Sequence, residues 1–281
     1  MRTMQAQFEH TFRTWRDRLS CSNADCHGSR RVWKRISGPT RRIDIHGARF
    51  CFPDCFEVGL ECLLQQFQTI QPNNAVPSHR IPLGLLMLSR GDLNDTQLRT
   101  ALRAQRCNGS GRIGEWVEKL GFAGIQQITA ALAAQCSCPV LRQLPIRSLD
   151  CNLPLVLLRH FRMVPVSYVH STRVMHVAFG GTVNYRALLA IEKVRQCRTL
   201  PCITSGSELT ILLSRFEEKA ERADYCFEGP RTPAEMTRIA CSYAAKLGAE
   251  EVRAALCGEY VWVQIEGTDS ANLVFSQNPR D

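Results

Sequence analysis

The 281-residue sequence lacks the features that direct a protein into or across a membrane. No stretch approaches the roughly 20 consecutive apolar residues of a membrane-spanning helix. The N-terminus, which begins Met1-Arg2-Thr3, has neither the apolar core nor the small-residue cleavage site of a signal peptide. We therefore expect a cytoplasmic protein with no membrane insertion.

Motifs of several enzyme classes are absent as well. The sequence has no G-x-x-x-x-G-K-[ST] phosphate-binding loop, no G-x-S-x-G nucleophile motif and no H-E-x-x-H metalloprotease motif. Its seven histidines are scattered, without a nucleophile or carboxylate at a characteristic spacing. These absences argue against catalysis, and we expect that the chain is not an enzyme.

The 14 cysteines do not predict a disulfide framework, because the chain is long and carries no export signal. Most of them stand singly inside apolar runs, as Cys62, Cys241 and Cys257 do. Such cysteines are usually reduced thiols that pack as small hydrophobic side chains.

Acidic residues are scarce in the first 50 positions. Four Asp or Glu stand there against eleven Arg or Lys, so this segment carries +7 of the formal net charge of +9. Such a segment could contact nucleic acid, or it could be a solvated face.

Composition and hydrophobic pattern divide the chain into four segments. Residues 1–72 form a basic, cysteine-bearing unit that ends in a helical run and a polar linker rich in Pro and Asn. Residues 79–136 are predicted to be helical throughout, and residues 137–218 and 219–281 to be α/β. The expected fold class is α+β and multidomain: an N-terminal zinc-finger-like unit, tandem helical-hairpin repeats with a small α/β subdomain, and a C-terminal α/β unit.

Within the α/β segments, individual strands and helices are predicted from short apolar runs and their flanking turns. The predicted strands are 162–169, 174–179, 198–204, 252–257 and 260–266, and the predicted helices are 185–196, 208–220 and 233–247.

An internal repeat occupies the helical segment. Residues 82–105 align without a gap with residues 112–135. Each copy is predicted to form a helix, a turn and a second helix, since a glycine at position ten is typical of a helix end. The aligned pairs are Leu83 with Ile113, Gly84 with Gly114, Gly91 with Gly121, Leu98 with Ile128, Leu102 with Leu132, and Gln105 with Gln135.

This repeat resembles a known family. The tandem pattern R-L-G-x-x-L-x-x-x-G-x-x-x-x-x-x-L-x-x-x-L-x-x-Q is the signature of the MshEN domain, found at the N-terminus of type II secretion and type IV pilus assembly ATPases and alone in other bacterial regulators. The resemblance covers roughly residues 80–215, and the ATPase motor is missing. It implies binding of the second messenger cyclic di-GMP, with one motif on each half of the ligand.

The residue types suit such a ligand. Arg112 can fork onto guanine O6 and N7 or meet a phosphate. Gly84 and Gly114 would let the backbone approach closely, the leucines and isoleucines would cover guanine faces, and the two glutamines offer a donor and an acceptor. The predicted ligand-binding residues are Leu83, Gly84, Leu98, Leu102, Gln105, Arg106, Arg112, Ile113, Gly114, Ile128, Leu132 and Gln135. Leucines at this spacing are also typical of an ordinary helical core.

The first repeat departs from the family pattern because it begins with Pro82 in place of arginine. Loss of a bidentate arginine costs about 1–3 kcal/mol of recognition. Arg80 and Arg106 are close in sequence and could replace it.

Two close pairs of cysteines mark the N-terminal unit: Cys21 with Cys26, and Cys51 with Cys55. Four thiolates from two such pairs suit tetrahedral Zn²⁺, and the run from Phe50 to Cys55 resembles the second knuckle of treble-clef zinc fingers. His27 is an alternative ligand. The other reading is four reduced cysteines packed in a small helical cap.

The sequence thus predicts a cyclic di-GMP-binding regulatory or adaptor protein with a structural Zn²⁺, related to these ATPase N-terminal domains. A secretion or pilus component is its expected protein partner. The alternatives are a protein-interaction adaptor with a degenerate nucleotide site, or a DNA-binding zinc regulator that uses the basic segment.

Overall fold

The computed structural model describes residues 21–26, 41–69, 80–141, 151–218 and 223–277. Over these ranges the chain forms nine helices and two sheets, which agrees with an α+β fold. The helices are α1 (Asp54–Thr69), α2 (Leu83–Ser89), α3 (Asp95–Asn108), α4 (Ile113–Lys119), α5 (Ile125–Cys136), α6 (Leu155–His160), α7 (Tyr185–Arg195), α8 (Gly206–Glu218) and α9 (Pro233–Lys246). The strands are β1 (Arg42–Ile45), β2 (Ala48–Cys51), β3 (Met163–Val169), β4 (Val174–Phe179), β5 (Arg198–Ile203), β6 (Ala223–Phe227), β7 (Glu251–Cys257), β8 (Tyr260–Glu266) and β9 (Ser270–Ser276).

The chain folds into two compact units, and the second is inserted into the first. The terminal unit comprises residues 1–72 and 222–281, and the central unit comprises residues 73–221. The sequence prediction differs here, because it placed 1–72 and 219–281 in separate units.

Pairing between the two ends of the chain explains this difference. The terminal unit contains a six-stranded sheet of order β2-β1-β7-β8-β9-β6, in which β1 runs parallel to β7 with Ile45 opposite Val252. The Arg41 guanidinium also donates to the carbonyls of Ala244 (2.9 Å) and Ala249 (3.1 Å) at the end of α9. The first two strands are therefore an edge of the C-terminal sheet.

The core of the terminal unit lies between this sheet and helices α1 and α9. Phe56, Leu60 and Leu64 recur at intervals of four in α1, which puts them on one face of the helix, and all three are fully buried. They pack with residues of α9, such as Met236, and with sheet residues, such as Val263. Helix α1 consequently depends on residues more than 150 positions away in the sequence.

The central unit begins with the four helices α2–α5 and continues into a three-stranded sheet of order β3-β4-β5. Strands β3 and β4, both predicted from the sequence, pair antiparallel, and β5 runs parallel to β4. A short parallel bridge between Val140 and Ile203 joins the end of the helical part to β5. Across the described ranges, no helix has both the length and the apolar character needed to cross a membrane.

Candidate functional site

Each copy of the repeat forms the predicted helical hairpin, α2–α3 and α4–α5. The glycines at position ten follow the first helix in the left-handed conformation, with φ of +74° at Gly91 and +67° at Gly121. Helix α3 begins at a capping box in which the Asn94 side chain accepts from the Gln97 N–H (2.8 Å) and the Gln97 side chain accepts from the Asn94 N–H (2.9 Å).

The two hairpins are intertwined. Helix α2 of the first copy packs against α5 of the second, and α3 of the first against α4 of the second. The glutamine that ends each copy, called here the closing glutamine, bonds to the residue just before the other copy. Gln105 Nε2 donates to the carbonyl of Gly111 (2.9 Å), and Gln135 Nε2 donates to the carbonyl of Ile81 (2.7 Å). Because Gly111 and Ile81 occupy equivalent positions before the two copies, the module has an approximate two-fold arrangement.

The glycines at position three have a packing role that the sequence argument did not foresee. A Cβ atom on Gly84 would lie 2.6 Å from Leu98 Cδ1, and one on Gly114 would lie 3.1 Å from Ile128 Cγ2. Both glycines are buried. Their missing side chains allow close approach of the helices. The expectation that they also let a ligand approach the backbone stays a prediction.

The six predicted apolar ligand contacts belong to one helical core. Leu98 and Ile128 are buried within it, with exposures of 6% and 7%. The other four are partly buried against the same cluster and keep some accessible surface: Leu83, Leu102, Ile113 and Leu132. The structure therefore gives the first two a core role and leaves the other four able to contact a ligand.

Arg112 extends towards the sheet of the central unit. Its Nη1 lies so close to Gly181 that a Cβ atom there would be 2.2 Å away. Gly181 belongs to the loop between β4 and α7. Arg112 as a whole is solvent-exposed, although one end of its side chain lies against this loop.

Arg80, which precedes the first copy, contacts the start of α7 directly after this loop. Its guanidinium carbon lies 5.5 Å from the ring centre of Tyr185, the first residue of α7, and its Nη1 lies 3.9 Å from Cys136 Sγ. Each arginine directly adjoins a residue whose carbonyl is bound by a closing glutamine, Arg112 after Gly111 and Arg80 before Ile81. By contrast, Arg106 is exposed near the end of α3.

Three residues of this region were missed by the sequence analysis: Gly181, Tyr185 and Arg162. Arg162 Nη1 lies 3.9 Å from Glu115 Oε1, an ion pair that links the start of β3 to α4. No motif identified them, because they lie in the α/β part and become neighbours of the repeat only through folding. The one sequence signal was an aromatic residue, Tyr185, four residues after the glycine pair Gly180-Gly181. In the structure its side chain is 47% exposed.

One polar atom of the repeat remains unsatisfied. Gln135 Oε1 is buried and has no hydrogen-bond partner among the described residues, although its own Nε2 binds Ile81. A buried acceptor without a partner is unfavourable by about 1–3 kcal/mol. A ligand donor could satisfy it.

A second candidate site lies in the terminal unit, where the predicted metal ligands come together. The sulfur atoms of Cys21, Cys26 and Cys51 all lie within 4.8 Å of one another, so this cluster could hold a metal ion. Burial, and next the neighbouring Cys21, raise the pKa of Cys51 to about 11. The fourth predicted ligand, Cys55, is buried beside them, and burial raises its pKa to about 12. His27 and most of the basic segment lie outside the described residues.

Several other cysteines follow the packing prediction. Cys257 is buried and Cys241 partly buried, whereas Cys62 is exposed on α1, contrary to the sequence argument, because it lies off the apolar face of that helix. Cys202 is buried inside strand β5, which covers most of the predicted strand 198–204.

Comparison with known proteins gives a partial resemblance. No family model matches the chain, and no curated protein matches it. The solved structure of MshE with cdg is similar, with 26% identity over 49% of this chain and 99% of that one and a TM-score of 0.41. Two crystal forms of the N-terminal domain of XpsE are 21% and 22% identical over 48% and 46% of this chain and 92% and 90% of theirs, with TM-scores of 0.38 and 0.31.

Proposed function

We propose that the central unit binds cyclic di-GMP and that the protein is a non-enzymatic regulator or adaptor. The supporting observation is the reciprocal pair of glutamine hydrogen bonds, which gives the duplicated motif an approximate two-fold arrangement. A cyclic dinucleotide has two guanines and two phosphates, so two related half-sites suit it. The resemblance of the motif supports cyclic di-GMP as the ligand, and the approximate two-fold arrangement is compatible with it.

In this proposal Arg112 serves one half of the ligand. A guanidinium presents donors in a fixed fork that can pair with guanine O6 and N7 or with a phosphate, and its plane can stack on a base. The partly buried Ile113 and Leu132 lie in the same helical module and would contact an apolar base face.

Arg80 serves the other half in place of the arginine that Pro82 removes. Its guanidinium lies over Tyr185, four residues after the glycine that Arg112 contacts, so both arginines approach residues 181–185. Arg106, the other candidate replacement, has no hydrogen bond or ion pair to any described residue that would orient it. The ring of Tyr185 could also stack on a base.

Calorimetric titration with cyclic di-GMP tests the proposal. Arg112→Ala and Arg80→Ala should each weaken binding by about 5- to 150-fold, since an arginine fork contributes about 1–3 kcal/mol. Arg106→Ala is the matched control and should stay within about twofold of wild type.

Cyclic di-AMP is the matched control ligand, because adenine offers an amino donor where guanine offers O6. We expect it to give little or no heat. Absence of heat from wild-type protein with cyclic di-GMP, or equal heats for all the arginine variants, would contradict the site. A protein that binds no nucleotide but still captures a secretion or pilus component would be an adaptor.

A further inference from the structure

Four cysteines outside the nucleotide site converge from three parts of the terminal unit. Cys21 and Cys26 are the first and last residues of the short segment 21–26. Cys51 ends strand β2, and Cys55 lies in the first turn of α1. The sulfur atoms of Cys21, Cys26 and Cys51 all lie within 4.8 Å of one another. Cys55 is buried a few residues after Cys51, and burial, followed by hydrogen bonds with Cys26 and Cys21, raises its pKa. The set therefore unites two pairs that are about 25 residues apart in sequence.

The spacing of the sulfur atoms fits a shared ion and not a covalent bond. With Zn–S bonds of about 2.3 Å, a tetrahedral site sets sulfur atoms about 3.8 Å apart. Cys26 Sγ and Cys51 Sγ are 3.9 Å apart, far beyond the length of about 2.05 Å in a disulfide. In addition, the Cys51 N–H points at Cys21 Sγ at 3.4 Å, the kind of backbone hydrogen bond that stabilises a metal-bound thiolate.

Segment 21–26 contacts strand β2 through its cysteines and through Ser22. Only Cys26 in this segment is buried. Apart from the cysteine contacts, the Ser22 N–H donates to the Arg49 carbonyl (2.7 Å) and the Arg49 N–H donates to Ser22 Oγ (3.1 Å). An exposed hydrogen bond contributes only about 1 kcal/mol, so an ion bound by the four cysteines would strengthen this attachment.

We propose that Cys21, Cys26, Cys51 and Cys55 bind one Zn²⁺ as thiolates, and that this ion fastens segment 21–26 to the edge strand β2 and to α1. Binding releases the thiol protons to solvent and involves no change of oxidation state. The sheet keeps its own apolar core, which includes Phe56, Val263 and Phe275. Loss of the ion therefore releases segment 21–26 and leaves the sheet folded.

The first test is the metal content of the full chain, measured by elemental analysis and by native mass spectrometry. Wild type should carry one zinc per chain, and Cys26→Ser should lose at least tenfold in zinc affinity in a competition with a chromogenic chelator. Cys62→Ser, which changes an exposed cysteine of α1, is the control and should retain the ion. Cobalt loading of wild type should give the absorption of a tetrahedral cobalt–thiolate site.

The second test needs no substitution and so remains informative if a variant misfolds. Wild-type protein is stripped with a chelator, and hydrogen exchange is followed in peptides covering 21–26 and 254–265. Protection should fall in the first peptide and remain in the second. Absence of zinc, equal zinc affinity in Cys26→Ser and Cys62→Ser, unchanged protection in both peptides, or loss in both would overturn the proposal.

Discussion

The glycines at position three of the two repeats matter because a side chain there would clash with the neighbouring helix. Gly84 faces the tip of Leu98, and Gly114 faces a methyl group of Ile128. Because interiors are close-packed, even one added methyl group must displace a neighbour. The motif glycine is thus a packing requirement of the hairpin, whatever ligand the module binds.

Gly84→Ala should lower the free energy of unfolding by about 1–2 kcal/mol. The overlap with Leu98 costs about 1–3 kcal/mol, and the better helix propensity of alanine offsets part of it. Gly114→Ala should lower the free energy of unfolding less, because the added Cβ atom would lie 3.1 Å from Ile128 Cγ2. Urea denaturation measures both variants. An equal loss of stability in the two variants, or no loss in Gly84→Ala, would contradict the packing explanation.

The cysteines should differ in their reactivity with a thiol reagent. Cys107 and Cys226 are exposed, whereas Cys257 is buried and burial raises its pKa to about 12. Iodoacetamide applied to native protein near pH 8 should therefore label the first two and spare Cys257, since the thiolate is the reactive form. Peptide mass spectrometry gives the labelled sites, and early labelling of Cys257 would show that it is accessible.

At the scale of helices, the ends of α3 and α8 are fixed by side chains. The Asn94 cap of α3 satisfies backbone donors that the helix itself cannot. At the start of α8, the Glu208 carboxylate accepts hydrogen bonds from the Thr204 hydroxyl (2.7 Å) and from the Ser205 N–H (3.1 Å) and hydroxyl (2.8 Å). We therefore expect each of these caps to stabilise the start of its helix.

Asn94→Ala should destabilise the central unit by about 1 kcal/mol, the usual effect of losing an N-cap. Asn94→Asp keeps an acceptor and should restore most of the loss. Thermal or urea unfolding compares the three proteins. Equal stability of all three would mean that the capping box contributes nothing.

Glu208 should make stability depend on pH. The hydrogen bond from Thr204, followed by those from Ser205, lowers the pKa of Glu208 below 4.5, although burial opposes this. The unfolded chain binds this proton more tightly, so the stabilisation is present above the unfolded pKa and is lost as pH falls through the folded one. The Glu208→Gln variant should therefore have a lower free energy of unfolding than wild type near pH 7. This difference in free energy should become smaller below about pH 4.5. Exposed Glu218→Gln should show no such narrowing.

How far the sequence predicted these elements depended on their pattern. Helix α9 and strand β8 match their predicted bounds within one residue, because capping and apolar periodicity were strong. Strands β6 and β9 were missed. Strand β6 is short and partly exposed, and the polar Asn272 interrupts the apolar run from which β9 would have been predicted. In the repeat, the ligand-binding role of the motif residues stays a prediction, and the structure separates those that pack in the helical core from those that keep accessible surface.

At the scale of the whole molecule, the pairing of β1 with β7 could not be predicted, since a parallel contact between distant segments leaves no local pattern. It makes the terminal unit discontinuous and the central unit an insertion. The independence of each unit can be tested with fragments.

A fragment of residues 73–221 should fold alone, because its helical core and its three-stranded sheet are internal to it. Residues 1–72 alone should not fold, since the apolar face of α1 would lose α9 and strands β7–β9. Circular dichroism with denaturant titration distinguishes the cases. Cooperative unfolding of the 1–72 fragment would show that the N-terminal segment has its own core.

The discontinuous sheet also orders events during synthesis. Strands β1 and β2 leave the ribosome first, but β7 begins only at Glu251, some 200 residues after β1 ends at Ile45. At about 5–20 residues per second, the nascent hairpin waits about 10–40 s for its partner, long enough for the intervening unit to fold. During that interval its unpaired edge is open to wrong partners. Early nascent chains should therefore be the stage at which this protein most needs protection from aggregation.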